Sequence, residues 1–389
     1  MNPSLLYATA GSRLLAFALD AQAVALEPRG DAVQLPEGGQ FACVHPRRPR
    51  LYAVSSNGRP HGVHGDRHFL DAFAMQADGA LQATGASRRL PQRPIHVAVH
   101  PHGRFLLVAY PFPGLLQVWR LDDEGNLQDE VPQRPGSPWG HVVHQIAFGG
   151  GEQPALLLVT RGNDAKPGVP EDPGALLVFD FEDGVARLRQ KVAPGGGYGF
   201  GPRNLAFHPG GRWVHVSLER QHAFCVFDWN GERLGEEPLF TRPVRSHAGP
   251  PRPLQYVGPV ACHPDGRTTY LTNRNDGTEQ VGGMDVFNGG ENTIAAFRID
   301  PASGAPTALQ HVDSEGLHPR TFDIDPGGTV LVAANTTSGL VREGDGVRRV
   351  ASGLSLYRIE ADGRLRFVRT REVDAAPDLL FWMGIVAHP

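Results

Sequence analysis

Five polar side chains recur at matching places in strand-like runs that are otherwise apolar: His144, Arg203, Glu219, Arg274 and Arg320. Together they make an anion-binding and proton-transfer set. A guanidinium presents a rigid fork that fits a carboxylate or a phosphate. An imidazole moves a proton near neutral pH. Burial pulls the pKa of a carboxylate up and neighbouring arginines pull it down, so the sequence alone leaves Glu219 open as base or counter-ion. The plainer alternative is that these charges are salt bridges pinning neighbouring structural units together. Each pair alone fits either description, but the five as one constellation favour a functional site. His96 and His318 adjoin the same places and are candidates for ligand contact.

The elements that must position these residues form a repeat. Residues 201–219, GPRNLAFHPGGRWVHVSLE, read as two short strands joined by a tight turn at His208-Pro209-Gly210-Gly211, because alternating apolar residues flank a stretch that cannot continue a strand. Variants begin at Pro94, Pro259 and Pro319, with weaker copies from Gln40 and His144. The turn prolines Pro46, Pro101, Pro209, Pro264 and Pro326 give the copies a common register. Six residues before each turn lies the entry of a first strand: Gln40, Ile95, Arg203, Gly258 and Arg320, with His144 aligned through IAF. Ten residues after it lies the exit of the second strand: Ser56, Pro111, Glu219, Arg274 and Thr336. Both positions fall on one face of the repeat, near its axis, so residues scattered along the chain are expected to meet there.

The spacing of the turns suits a four-stranded blade of about 50 residues. Six units follow Gln40. A seventh is split, with a first strand in LLFWMGIVAHP at the C-terminus and its partners in LLYATAGSRLLAFALD near the N-terminus. The expected fold is therefore all-β: one seven-bladed β-propeller over residues 1–389, its ring closed by pairing of the terminal strands, which leaves no exposed edge there. Helical periodicity is nearly absent, and 48 Gly and 34 Pro suit many short strands with turns. Four inserts, 57–68, 161–173, 275–291 and 338–352, all fall between second and third strands. They are expected to crowd the face that carries the five polar residues, and 57–68 and 275–291 read individually as solvated loops.

Composition narrows the partners. A net charge of −4 points to neither nucleic acid nor an anionic membrane surface. Met1 to Asp20 lacks a signal-peptide pattern, and no apolar run approaches membrane-spanning length. Cys43, Cys225 and Cys262 are odd in number and unclustered, which reads as buried thiols in a reducing, cytoplasmic setting. His45, His100, His208 and His263 belong to the repeated turn and read as structural. The spacing of His61, His64 and His68 fits no helix-borne metal motif, so no metal is expected there. No glycine-rich phosphate loop follows a strand, and no cofactor is expected.

GPRNLAFHPGGRW, the Glu ending VSLE, the TNR before insert 275–291 and GLHPRTFDIDPGGTVLVAAN resemble the seven-bladed propeller lactonase family, from about residue 40 to about residue 365. That family holds bacterial 6-phosphogluconolactonases of propeller type and fungal 3-carboxy-cis,cis-muconate cyclases. The resemblance implies an active-site set at His144, Arg203, Glu219 and Arg274. Departures are Ser56 where a Glu is frequent, the spacing His141-Val142-Val143-His144, PFPG after Tyr110, and the long inserts. The implied reaction is opening of a sugar-type lactone, with Glu219 or His144 activating water, Arg203 and Arg274 stabilising the oxyanion, and Arg320 holding a remote phosphate or carboxylate. The substrate would be a small anionic lactone or a polycarboxylate. One alternative is a cycloisomerase closing a lactone from a carboxymuconate-type polycarboxylate; another is a non-catalytic propeller that binds a ligand or partner at its mouth. On this reading Glu219→Gln and Arg274→Ala each abolish turnover with little effect on melting.

Overall fold

The structure, a computed structural model, describes residues 4–387 except 61, 152, 167, 376 and 377. Its strands fall into seven antiparallel blades, five of four strands and two with a fifth short strand, and one additional four-stranded sheet. The seven inner strands, in chain order, are Gly38–Val44, His96–Val99, Val143–Phe148, Pro202–Phe207, Tyr256–Cys262, Leu317–Ile324 and Leu380–Val386. Each lies against the next, and Leu380–Val386 lies against Gly38–Val44, so the ring is complete. The last strand pairs antiparallel with Ser4–Ala10, Leu5 opposite Val386 and Thr9 opposite Trp382, which makes blade one from both ends of the chain. The turn expected at His388-Pro389 lies outside the described residues, as does His61. No helix among the described residues is long and apolar enough to cross a membrane.

A lone blade leaves both sheet faces wet; the ring buries them against neighbours. Seven apolar clusters fill the seven seams, one per neighbouring pair of blades. Each large side chain buried there, such as Phe297 or Leu331, contributes about 1.5–3 kcal/mol. The repeated turn explains its own composition. His208 Nδ1 accepts the N–H of Gly210 (3.0 Å), while its Nε2–H donates to the carbonyl of Gly266 in the next blade (2.8 Å). His263 and His45 make the same latch to Gly328 (2.8 Å) and Gly103 (2.9 Å). The receiving glycine has φ of +74° at Gly266, and a Cβ there would stand 2.9 Å from the His208 ring, so the motif needs glycine twice over. These imidazoles are structural, as the turn motif implied.

Insert 275–291 departs from the expectation of a solvated loop, and insert 338–352 joins it. Strands Thr278–Val281 and Met284–Phe287 form a hairpin from blade six, and Gly339–Glu343 and Gly346–Val350 form one from blade seven. The two hairpins join through a parallel pairing of Val286 with Leu340, giving a four-stranded sheet over the same mouth. Val286 is fully buried at this joint, which is why the two loops fold as one body.

One carboxylate guards the closure. Asp323 in blade seven accepts the backbone N–H of Ile385 in blade one (2.9 Å). Burial pushes its carboxyl up to about 6, against the Ile385 and Ile324 N–H groups, with Asp325 adding to the rise. A folded-state pKa above the unfolded value of about 3.9 stabilises the fold fully below the unfolded value, and the contribution is lost as pH rises through about 6. Asp323→Asn keeps an acceptor for Ile385 and removes the charge. It should melt a few degrees above the parent chain at pH 8, with the gain vanishing near pH 4. A variant that melts lower at pH 8 would show that the ionised carboxylate is needed.

Candidate active site

The inner strands do not run straight into the mouth. In blade four Val143 pairs with Thr160 and Gln145 with Val159, leaving His144 as the extra residue of a β-bulge. Arg203 holds the same place between Pro202 and Asn204, Arg320 between Pro319 and Thr321, and Gln40 between Gly39 and Phe41. Gly258 and Pro259 fill the bulge of blade six. A bulged residue escapes the alternation of the strand, so a polar side chain leaves the pleat without displacing the apolar neighbours that fill the seams. Five of the six entry positions read from the turn register, all but Ile95, fall in these bulges.

The second strands deliver the other partners at their ends. Glu219 follows Trp213–Leu218, and Arg274 ends Thr268–Arg274. Glu219 is the hub: its Oε1 meets Arg203 Nε at 2.9 Å and Arg274 Nη2 at 2.5 Å, and its Oε2 meets Arg161 Nη1 at 2.5 Å. The side chains of Glu219, Arg203 and Arg274 are 8%, 5% and 5% exposed, so water screens these pairs little. Burial would raise the Glu219 carboxyl, but Arg161, Arg274 and Arg203 together hold it well below the usual carboxylate range. Burial, and then Arg274, bring Arg203 down to about 9, with Glu219 opposing. At Arg161 burial acts downward and the Glu219 carboxylate outweighs it, raising the guanidinium.

A second chain of contacts runs on from Arg274. Its Nη1 donates to His318 Nε2 (2.5 Å), and His318 Nδ1 stands 3.1 Å from Asp276 Oδ2. This places the proton of a neutral ring on Nδ1. Burial and Arg274 push the imidazole down to about 4, with Asp276 opposing. His318 takes φ of +58°, and its N–H donates to Asn292 Oδ1 (3.0 Å), so a strained backbone is held by a buried amide. Tyr256 lies under Arg274, 5.3 Å from guanidinium carbon to ring centre. Arg320 lies over Phe381 at 4.0 Å and forms no ion pair among the described residues. Burial, Arg274, Arg203 and Arg93 all push it well below the usual arginine value.

His144 stands in the field of Arg203, Glu219, Arg161 and Arg320. Burial first, and then Arg203, push it well below the ordinary imidazole value, and its Nδ1 is buried without a hydrogen-bond partner. The structure thus brings together His144, Arg203, Glu219, Arg274, Arg320 and His318. His96, the other residue named as adjoining an entry position, lies apart from these contacts. That ring packs on Phe41 at 4.0 Å in the seam between blades two and three, with burial alone pushing it down to about 3. Its Nδ1 is buried without a hydrogen-bond partner.

Two members were missed by sequence reasoning. Arg161 occupies the exit position of blade four, but that blade has GGGEQP in place of the HP turn, so no proline set its register. Superposing LLLVTR on VHVSLE would have found it. Asp276 follows Arg274 by two residues inside an insert, where no periodicity marks it. The threefold tie of Glu219 also revises the expected Glu219→Gln phenotype: a hub that neutralises three buried guanidiniums cannot be removed without a cost in melting. Among the described residues no cluster of three or more His, Cys, Asp or Glu is arranged to hold a metal ion. A cavity of about 400 Å³, lined by His45, Arg47, Arg48, His102 and Arg104, opens on the opposite face, away from this network.

A family model described as "Lactonase, 7-bladed beta-propeller" matches residues 6–343. The 6-phosphogluconolactonase of Bacillus subtilis is 26% identical over 261 residues, covering 63% of this chain and 64% of that protein, so the match spans under two thirds of that relative. The 6-phosphogluconolactonase of Formosa agariphila is 25% identical over 315 residues, 77% of this chain and 78% of that one. Among solved structures, the Pseudomonas aeruginosa periplasmic gluconolactonase superposes with a TM-score of 0.70 at 21% identity, over 100% of this chain and 99% of that chain, a likeness of fold.

Proposed function

The chain belongs to the seven-bladed β-propeller lactonase family, and from that membership we propose that it hydrolyses a small anionic lactone of sugar type at the arginine-lined mouth. The observation that carries this reading is the charge balance: Arg161, Arg203 and Arg274 share the single carboxylate of Glu219, and Arg320 has no ion-pair partner among the described residues. Buried guanidiniums in excess favour an anion, both as ground-state ligand and as the oxyanion of an ester carbonyl under attack. The relatives named 6-phosphogluconolactonase make a phosphorylated aldonolactone the first substrate to try.

In this mechanism the roles of Glu219 and His144 separate. Glu219, tied to three guanidiniums, stays ionised and is a poor proton acceptor; it aims Arg203 and Arg274. His144 is neutral and its Nδ1 is closed off from solvent, so Nε2 is the atom assigned to take a proton from water as the water oxygen bonds to the lactone carbonyl carbon. Arg203 and Arg274 stabilise the oxyanion, contributing a few kcal/mol per donor on the scale of other oxyanion sites. The carbon–oxygen bond to the ring then breaks. The imidazolium returns its proton to the leaving oxygen, and the new acid ionises to a carboxylate. The positive field that weakens His144 as a base is offset when an anionic substrate occupies the mouth, so charge on the substrate raises the basicity of the imidazole. Neither a metal nor an organic cofactor enters these steps. The three free thiols, Cys43, Cys225 and Cys262, fit a reducing, cytoplasmic compartment.

The test is acid release, followed with a pH indicator and corrected for spontaneous hydrolysis, on 6-phosphogluconolactone, gluconolactone and 3-carboxymuconate. Saturable opening of the phosphorylated lactone is expected. Cyclisation of the carboxymuconate with no lactone opening would move the chain to the cycloisomerase reading, and no turnover of any of the three would leave a binding protein.

A further inference from the structure

We infer a second anion subsite at the seam of blades two and three, with Arg93 at its base, which takes the acidic group of the substrate that is remote from the lactone carbonyl. The inference rests on the lactonase reading for the chemistry at Glu219 and Arg274, and adds where the distal charge goes. Arg93 stands just before the inner strand of blade three. Its Nε donates to Gln40 Oε1 (2.9 Å), the bulged residue of blade two, so the two blades fix it from both sides. It forms no ion pair with a carboxylate among the described residues, although burial alone pulls its guanidinium down to about 10.

A cavity of about 310 Å³ opens directly onto it, lined by Arg59, His64, Asp66, His68, Arg93 and Phe112 among others. The other polar groups of the lining have partners. Arg59 is paired with Asp378 (2.9 Å), and the Ser56 hydroxyl and His68 Nδ1 are 2.8 Å apart; the Asp66 carboxylate accepts from Asn57 Nδ2 (2.7 Å) and keeps its charge, with Arg67 and Arg89 in its field. His64 meets the Phe112 ring edge-on at 5.6 Å and walls the outer side. What is left facing the space is a guanidinium with unfilled donors. The cavity follows the ester site around the ring: Arg203 and Arg320 fill the bulges of blades five and seven, and Gln40, which Arg93 holds, fills the same bulge in blade two beyond blade one. The positions therefore follow in the order oxyanion donors, then Arg320, then Arg93. A lactone carrying a phosphate ester or a second carboxylate at its far end matches that path, and a neutral lactone leaves Arg93 unsatisfied. This reassigns to Arg93 the remote group that the sequence placed on Arg320, and leaves Arg320 between the two ends.

Arg93→Met removes the charge at near-constant volume, and Arg93→Lys keeps it without the fork. The readout is the ratio of kcat/KM for 6-phosphogluconolactone to that for gluconolactone, together with stabilisation of melting by millimolar inorganic phosphate or malonate. The expected result is a fall in the ratio of at least about 30-fold in Arg93→Met, carried mainly by KM, with Arg93→Lys retaining most of the ratio. Phosphate should raise the melting temperature of the parent chain and not that of Arg93→Met; a larger rise with malonate would identify a dicarboxylate class instead. A parent-like ratio in folded Arg93→Met, or equal loss on both lactones, overturns the proposal, as does a parent chain that neither anion stabilises. If the parent opens no lactone yet phosphate stabilisation still depends on Arg93, the hydrolytic reading fails and the anion subsite stands.

Discussion

Glu219→Gln is expected to lose both turnover and stability, in one step and from one cause. The carboxylate meets Arg161, Arg203 and Arg274 within 2.5–2.9 Å at 8% exposure. Gln preserves the shape and one acceptor but leaves three guanidiniums facing each other in a weakly screened site. Breaking a buried ion pair from one side costs about 3–5 kcal/mol, and the loss here falls toward the upper end because three partners are stranded. The sign with pH follows from the depressed pKa. The native carboxylate contributes stability at all pH values above the unfolded value of about 4.3, and that contribution is lost only as pH falls through its much lower folded value. The deficit of the variant in melting should therefore be full at pH 7 and shrink only in strong acid. Turnover should fall by about 10³-fold, since Arg203 and Arg274 lose the group that aims them. Calorimetric melting and lactone hydrolysis on the same preparation check both halves. Parent-like melting would mean that the three contacts are not formed in solution.

Arg274→Ala is expected to separate the two effects. Glu219 keeps Arg161 and Arg203, so the cost in stability should be nearer 1–3 kcal/mol, the scale of one lost charged hydrogen-bonding partner. Turnover should still fall by about 10²–10³-fold, because in the proposed mechanism the residue supplies an oxyanion donor, and it also holds His318 through Nη1. With the guanidinium gone, one of the three causes that push His318 down to about 4 (burial, Arg274 and Arg320) disappears, so its titration should move upward. That shift, read by NMR of the imidazole protons, distinguishes loss of a positioned network from simple loss of packing over Tyr256. A folded variant with kcat/KM within threefold of the parent chain would remove Arg274 from the chemistry.

The ring was legible because the HP turn is a structural device with a composition. At three of the five turns a histidine reaches the next blade and a glycine receives it, and at Pro326 the Asp325 carboxylate closes its own turn, so the turn prolines mark the register of the blades. The site was legible for a related reason: a charge at the same place in an otherwise apolar strand has no packing role, and counting from the turns found His144, Arg203, Glu219, Arg274 and Arg320. What the count did not show is that its entry positions are β-bulges, a backbone feature without a residue signature here. His96, one step from the entry position Ile95, turns toward Phe41 in the seam because adjacent residues on a strand face opposite ways. The hairpins of the two inserts had a local signal in Gly282-Gly283 between TEQV and MDVF. Their joint sheet did not, because it rests on a single parallel pairing between distant segments.

The central claim is that the anionic ligand binds on the insert-bearing mouth, with its carboxylate end on the arginines of Glu219. A crystal structure of the protein soaked with the acid product 6-phosphogluconate tests it most directly. The account predicts the carboxylate within hydrogen-bond reach of Arg203 and Arg274 and the phosphate directed past Arg320 toward Arg93. Density for the ligand only in the cavity of His45, Arg47 and Arg104 on the opposite face would contradict it.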